Sequence, residues 1–138
     1  PLEGRPDFTI RRFDRGKPIA PLQAELLLHI DGEPLDQIDV RGIKSISCVD
    51  CHWRRCGGIV RMIEAPLPRL VRIPPGFKTA YPRRNKDDQD PPDGLATIEA
   101  VFIAAAFCGV RDPSLLSRYH WRDEFLSINQ TIFEHFGI

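Results

Sequence analysis

The chain has 138 residues, 42% of them apolar, with 19 basic and 19 acidic side chains and a formal net charge of zero. That length supports one hydrophobic core and leaves no room for a second domain of ordinary size. Balanced charge excludes a global field that would draw the protein onto nucleic acid or an anionic membrane, so any RNA contact has to come from a local patch.

No apolar run reaches the roughly 18 residues of a membrane span, and the N-terminal residues lack the basic, apolar and small-residue order of a signal peptide. The expectation is a cytoplasmic chain without a membrane partner. Residues 1–138 are read as one compact domain, with a divergent part over 1–40, sheet and loops over 41–94, and a helical part over 95–138.

In chain order, Phe8-Thr9-Ile10-Arg11-Arg12 alternates as a weak strand, and Pro18 and Pro21 bracket an irregular connection. Leu26-Leu27-Leu28-His29-Ile30 reads as a buried strand that ends in an Asp31-Gly32 turn. The β-branched residues Ile43, Ile46 and Val49 mark a second strand that delivers Asp50 to its C-terminal end, where open α/β sheets bind ligands. Gly57-Gly58 leaves residues 54–64 readable as either a poor helix or a strand. Residues 67–73 read as a strand between prolines, followed by a Pro74-Pro75-Gly76 loop that cannot continue a central ladder. From Leu95 to Cys108 the chain is apolar nearly all round, as in a core helix, with Gly109 as its αL stop. Asp112-Pro113 supplies an N-cap and first-turn proline for the next helix, with Leu115, Leu116 and Tyr119 on its inner face. Phe125, Ile128, Ile132 and Phe136 recur at helical spacing and predict a third amphipathic helix.

Two metal patterns can be read in the cysteines. Cys48-Val49-Asp50-Cys51-His52 matches a haem-attachment spacing, and Cys48, Cys51, Cys56 and Cys108 could together form a tetrahedral zinc set. Haem attachment needs an export context that the chain does not display. The second zinc pair is split between Cys56 and the middle of a helix. Reduced, buried thiols are therefore expected, with no metal. His29, His52, His120 and His135 are scattered without ligand spacing.

A series of short blocks carries more information. Asp50-Cys51-His52-Trp53 follows a strand, then come Leu67-Pro68-Arg69-Leu70, Leu95-Ala96-Thr97-Ile98-Glu99-Ala100, and Trp121 with Phe125, Leu126 and Asn129. This order resembles the RNA 3-amino-3-carboxypropyltransferases, the ribosomal-RNA type above all, and the related DTW-domain enzymes that modify tRNA uridines. The resemblance covers residues 45–138. It implies an α/β, SPOUT-like parallel sheet with a knotted cofactor-binding region and a helical C-terminal third. It also implies S-adenosylmethionine as donor of its amino-acid arm and RNA as acceptor, ribosomal RNA ahead of tRNA. The chain departs from the pattern at Ala96, where the family carries a serine, and at Pro74-Pro75-Gly76-Phe77, which replaces an Asn-Pro-containing loop.

On that resemblance Asp50 is the candidate general base for a nucleobase N–H, against the alternative of a carboxylate capping the next turn. Trp53 either packs on adenine or the sulfonium or is plain core. Leu70, Val71, Ile73 and Leu95 are expected around an apolar cofactor pocket. Thr97, near a helix N-terminus, would meet the cofactor carboxylate or else cap the helix, and Glu99 would meet its ammonium. Arg69, Arg72, Lys78, Arg83, Arg84 and Lys86, with Tyr81 as an aromatic surface, form the dense basic region expected to bind RNA by phosphate contact and stacking. The rival expectations are a zinc-stabilised RNA- or protein-binding module and a catalytically silent relative.

Overall fold

The computed structural model describes residues 1–82, 91 and 94–138. Its sheet has three parallel strands, β1 (Leu26–Pro34), β2 (Ile46–Cys48) and β3 (Arg69–Arg72), in the order β2-β1-β3. The central strand therefore comes from the N-terminal forty residues. Four α-helices are described: α1 (Trp53–Val60), α2 (Thr97–Phe107), α3 (Arg122–Ile128) and α4 (Gln130–Phe136). Short 3-10 turns occupy Leu35–Gln37 and Pro113–Leu116.

Both faces of the sheet are covered, as a parallel sheet requires. Side chains alternate across the strands, so Leu26, Leu28 and Val71 pack toward Ala104 of α2 and Leu35, while Leu27 and Leu70 face Val60 at the end of α1 and Ile63 beyond it. A third cluster joins α2 to the C-terminal helices through Phe77, Ile98, Ile103, Leu116 and Phe125. Helix α2 threads between these groups, and its apolar circumference follows from that position. Its end is a Schellman motif: Gly109 takes a φ of 86°, its amide donates to Ala106, and that of Val110 donates to Ala105.

Several elements differ from the sequence expectation. Residues 8–12 form no strand, and Ile10 is 57% exposed, so alternation there has no face to bury. Strand β1 does not stop at Asp31-Gly32 but runs to Pro34, with its register against β3 shifting between Leu28 and Glu33. Residues 54–60, ambiguous in sequence, belong to α1. Gly57 and Gly58 within that helix cost about 1 kcal/mol each relative to alanine, and packing of Ile59 and Val60 against the sheet offsets them. Asp112 caps as expected, accepting from the Ser114 amide at 2.9 Å, but the turn that follows is 3-10 and not α. The third amphipathic segment is divided at Asn129, whose side-chain amide donates to the Phe125 carbonyl at 2.9 Å. A side chain that takes the i−4 carbonyl competes with the helix's own ladder.

Candidate functional site

Strand β2 leads through Asp50 into the start of α1. Asp50 lies two residues past β2 and is exposed, and its Oδ1 accepts a 2.8 Å hydrogen bond from the hydroxyl of Thr97, the first residue of α2. Residues 47 apart in sequence are thereby joined at the edge where ligands bind in open α/β sheets. The hydroxyl orients the carboxylate, and the first turn of α2 adds amides that favour an anion.

Trp53 starts α1 and lines a cleft of about 220 Å³ with His29, Asp31, Arg54, Cys56 and Pro91. The His29 ring is nearly buried, and its Nδ1 accepts from the Asp31 amide at 3.2 Å. Asp50, Thr97, Leu70, Val71, Ile73 and Leu95 are not among the residues lining this cleft. Leu70, Val71, Ile73 and Leu95 instead pack their side chains into the three hydrophobic clusters, with Val71 fully buried.

Glu99 is also fully buried, on the third position of α2, and its carboxylate accepts from four described donors. These are the Thr79 hydroxyl at 2.6 Å, the Ala80 amide at 2.8 Å, the Tyr119 hydroxyl at 2.7 Å and the Ala96 amide at 2.7 Å. The last bond is the acidic half of a capping box, which Ala96, without a side-chain acceptor, leaves one-sided. Burial, and then the bond to Glu99, push the Tyr119 phenol well above its ordinary value. Asn129, 1% exposed, performs a parallel task one residue earlier in the same loop: it accepts from the Lys78 amide at 2.7 Å and donates to the Lys78 carbonyl at 2.8 Å.

The residues that carry the C-terminal sequence blocks thus converge on one segment, 77–81. The Phe77 ring stacks 5.9 Å from that of Phe136, and its neighbours are held by Asn129 and Glu99. Tyr81, 45% exposed, meets the edge of Trp121 at 5.0 Å. Gly76, at a φ of 106°, starts this segment in a conformation that favours glycine. Nothing in the sequence marks Thr79, Ala80 and Tyr119 as partners of Glu99; the available signal is a capping-type glutamate inside an apolar helix.

Of the expected basic surface, Arg69, Arg72 and Lys78 are exposed. The Arg69 guanidinium is already forked onto Glu33, at 3.1 and 2.9 Å. Arg83, Arg84 and Lys86 lie outside the described residues. Among the described residues no group of three or more His, Cys, Asp or Glu is arranged to hold a metal ion. Desolvation, and then the Asp50 carboxylate, push the Cys48 thiol up to about 11, and Cys51 is raised to about 11 by desolvation and the neighbouring Cys56 sulfur. No described helix is long and apolar enough to cross a membrane.

No family model, curated protein or solved structure matches this chain.

Proposed function

We propose that this chain transfers the 3-amino-3-carboxypropyl group of S-adenosylmethionine to a nucleobase nitrogen of RNA in the cytoplasm, with ribosomal RNA favoured over tRNA. The observation that carries the reading is the Asp50–Thr97 hydrogen bond at the carboxyl edge of a parallel sheet. It joins two of the sequence blocks behind the resemblance and sets a carboxylate beside a helix N-terminus. The SPOUT-like knotted arrangement is part of the same proposal and rests on the resemblance alone.

The donor set is chemically suited to such a molecule. Amides of the first turn of α2 suit a carboxylate, Trp53 suits adenine or a sulfonium, and Asp50 suits the base's role. The cleft beside Trp53, at about 220 Å³, is smaller than the roughly 300 Å³ of a full small-molecule pocket, so it fits one arm of the donor. When bound, S-adenosylmethionine would supply an electrophilic carbon where its amino-acid arm joins the sulfonium sulfur, with methylthioadenosine as the leaving group. Asp50 takes the proton of the pyrimidine nitrogen, and Thr97 keeps the carboxylate oriented toward it. The anchored 77–81 segment presents Lys78 and the Tyr81 ring, which suit a phosphate and a stacked base respectively.

Transfer is tested with S-adenosylmethionine labelled either in the carboxyl carbon or in the methyl group. Label from the first and not the second should enter RNA isolated from cells lacking the gene. Asp50→Asn should bind the donor by calorimetry but transfer it about 100-fold more slowly. Transfer of the methyl label, or no heat of binding with the unmodified chain, overturns the reading.

A further inference from the structure

Where α2 meets the C-terminal helices, four partly buried apolar side chains of the core, Phe102, Leu126, Phe133 and Ile138, line a cavity of about 180 Å³ together with Ala106 and Arg111. Gly137 ends α4 at a φ of 67°, and the Ile138 amide donates to the Phe133 carbonyl at 3.0 Å. The chain thereby folds back over the last turn and adds Ile138 to the cavity wall. The rings of Phe102 and Phe133 stand edge to face with their centroids 6.0 Å apart. Arg111 is exposed and is the only charged residue lining the cavity. Its guanidinium donates to the Gly137 carbonyl, and among the described residues no carboxylate is paired with it. Asp50, Trp53, Thr97 and Glu99 do not line this cavity, so it is separate from the residues proposed for transfer.

We propose that this cavity is a binding site for a small aryl carboxylate, whose ring enters among Phe102, Leu126, Phe133 and Ile138 and whose carboxylate meets Arg111. Size sets the body of the ligand. An apolar protein cavity of about 150 Å³ takes benzene, so this one, at about 180 Å³, holds a single ring. The lining sets the kind of body, because a ring extends the edge-to-face contact of Phe102 and Phe133 and an aliphatic chain does not. Charge sets the head group. A guanidinium presents five N–H donors in a planar fork that matches a carboxylate, and the bond to Gly137 leaves donors free for both carboxylate oxygens. A wholly hydrophilic anion would gain nothing from the apolar wall. The site stands independently of the transfer reaction.

Phenylacetate, its uncharged counterpart phenylacetamide, and acetate separate the contributions of ring and charge. In a proton–nitrogen correlation spectrum of the full chain, phenylacetate should shift the amides of Phe102, Leu126 and Phe133 saturably, with a dissociation constant of about 1 mM or below for a ligand of its size. Phenylacetamide should bind about fivefold more weakly, since an exposed charge pair contributes modestly. Acetate should leave these amides unmoved. Arg111→Gln, which keeps a donor for the Gly137 carbonyl, should bring phenylacetate to the affinity of the amide, and Ala106→Leu should fill the cavity and abolish binding of both. Equal affinity for phenylacetate and phenylacetamide, acetate shifts at the same amides, an Arg111→Gln variant that retains the preference for the carboxylate, or no saturable shift would overturn the proposal. Should Ala106→Leu fail to fold, the unmodified chain and Arg111→Gln decide between these outcomes.

Discussion

At position 99 a carboxylate with no solvent exposure holds four described hydrogen-bond donors drawn from the start of its own helix, a loop and Tyr119. Removing it strands polar groups in the interior, each at about 1–3 kcal/mol. Glu99→Ala should therefore lower the unfolding free energy by at least about 3 kcal/mol, read as a drop in the urea midpoint. A midpoint within experimental error of the parent's would show that water replaces the carboxylate. Gly32 is constrained differently. A β-carbon built there would lie 2.4 Å from the backbone nitrogen of Val71, so the central strand can approach β3 only without a side chain. Gly32→Ala should destabilise by about 2 kcal/mol, at the scale of core overpacking. Unchanged stability in the same urea titration would mean that the strands separate without cost. Neither role is legible from residue type alone: Asp31-Gly32 looks like a turn, and helical glutamates are usually exposed.

Elements show the same division. Helix α2 was readable from composition, because an apolar circumference ended by glycine has few other solutions in a small domain. The break between α3 and α4 was not, because the periodicity of Phe125, Ile128, Ile132 and Phe136 runs straight through Asn129. Its side chain takes the Phe125 carbonyl and both backbone groups of Lys78, so helix continuity yields to a long-range anchor. Asn129→Ala should relieve the helix junction and unpin the loop together. The expected signature is a loss of about 2 kcal/mol with faster amide exchange at Lys78. Slow exchange retained at Lys78 would show that the Phe77 ring contacts hold the segment without Asn129. Strand β3 lies inside the 67–73 run that the sequence marks as a strand, but spans only Arg69–Arg72.

Over the whole molecule, stability depends on acid-side titration of surface carboxylates. Arg69 holds Glu33 below its ordinary value, the Lys44 and Ser45 amides do so for Glu25, Arg5 for Asp7, and Ser114 with Arg5 for Asp112. A folded-state value below the unfolded one means that the unfolded chain binds more protons in acid. This contribution is complete above the ordinary carboxylate range near 4 and disappears as pH falls through the lowered values. The thermal midpoint should thus be level from about pH 7 to 5 and fall below about pH 4, with added salt weakening the dependence. A midpoint that rises on acidification would contradict the assignment.

Sequence patterning by itself determined the strand cores at residues 26–28, 46–48 and 69–72, the core helix over 97–107 and its glycine stop, because burial and backbone propensity act over a few neighbours. Tertiary structure alone decided that Asp50 meets Thr97 and that Glu99 and Asn129 serve the 77–81 segment. A one-dimensional pattern records which side chains prefer the interior. Which donor finds which acceptor there depends on how the layers close, since a buried polar group must be satisfied by whatever partner the packing brings within reach.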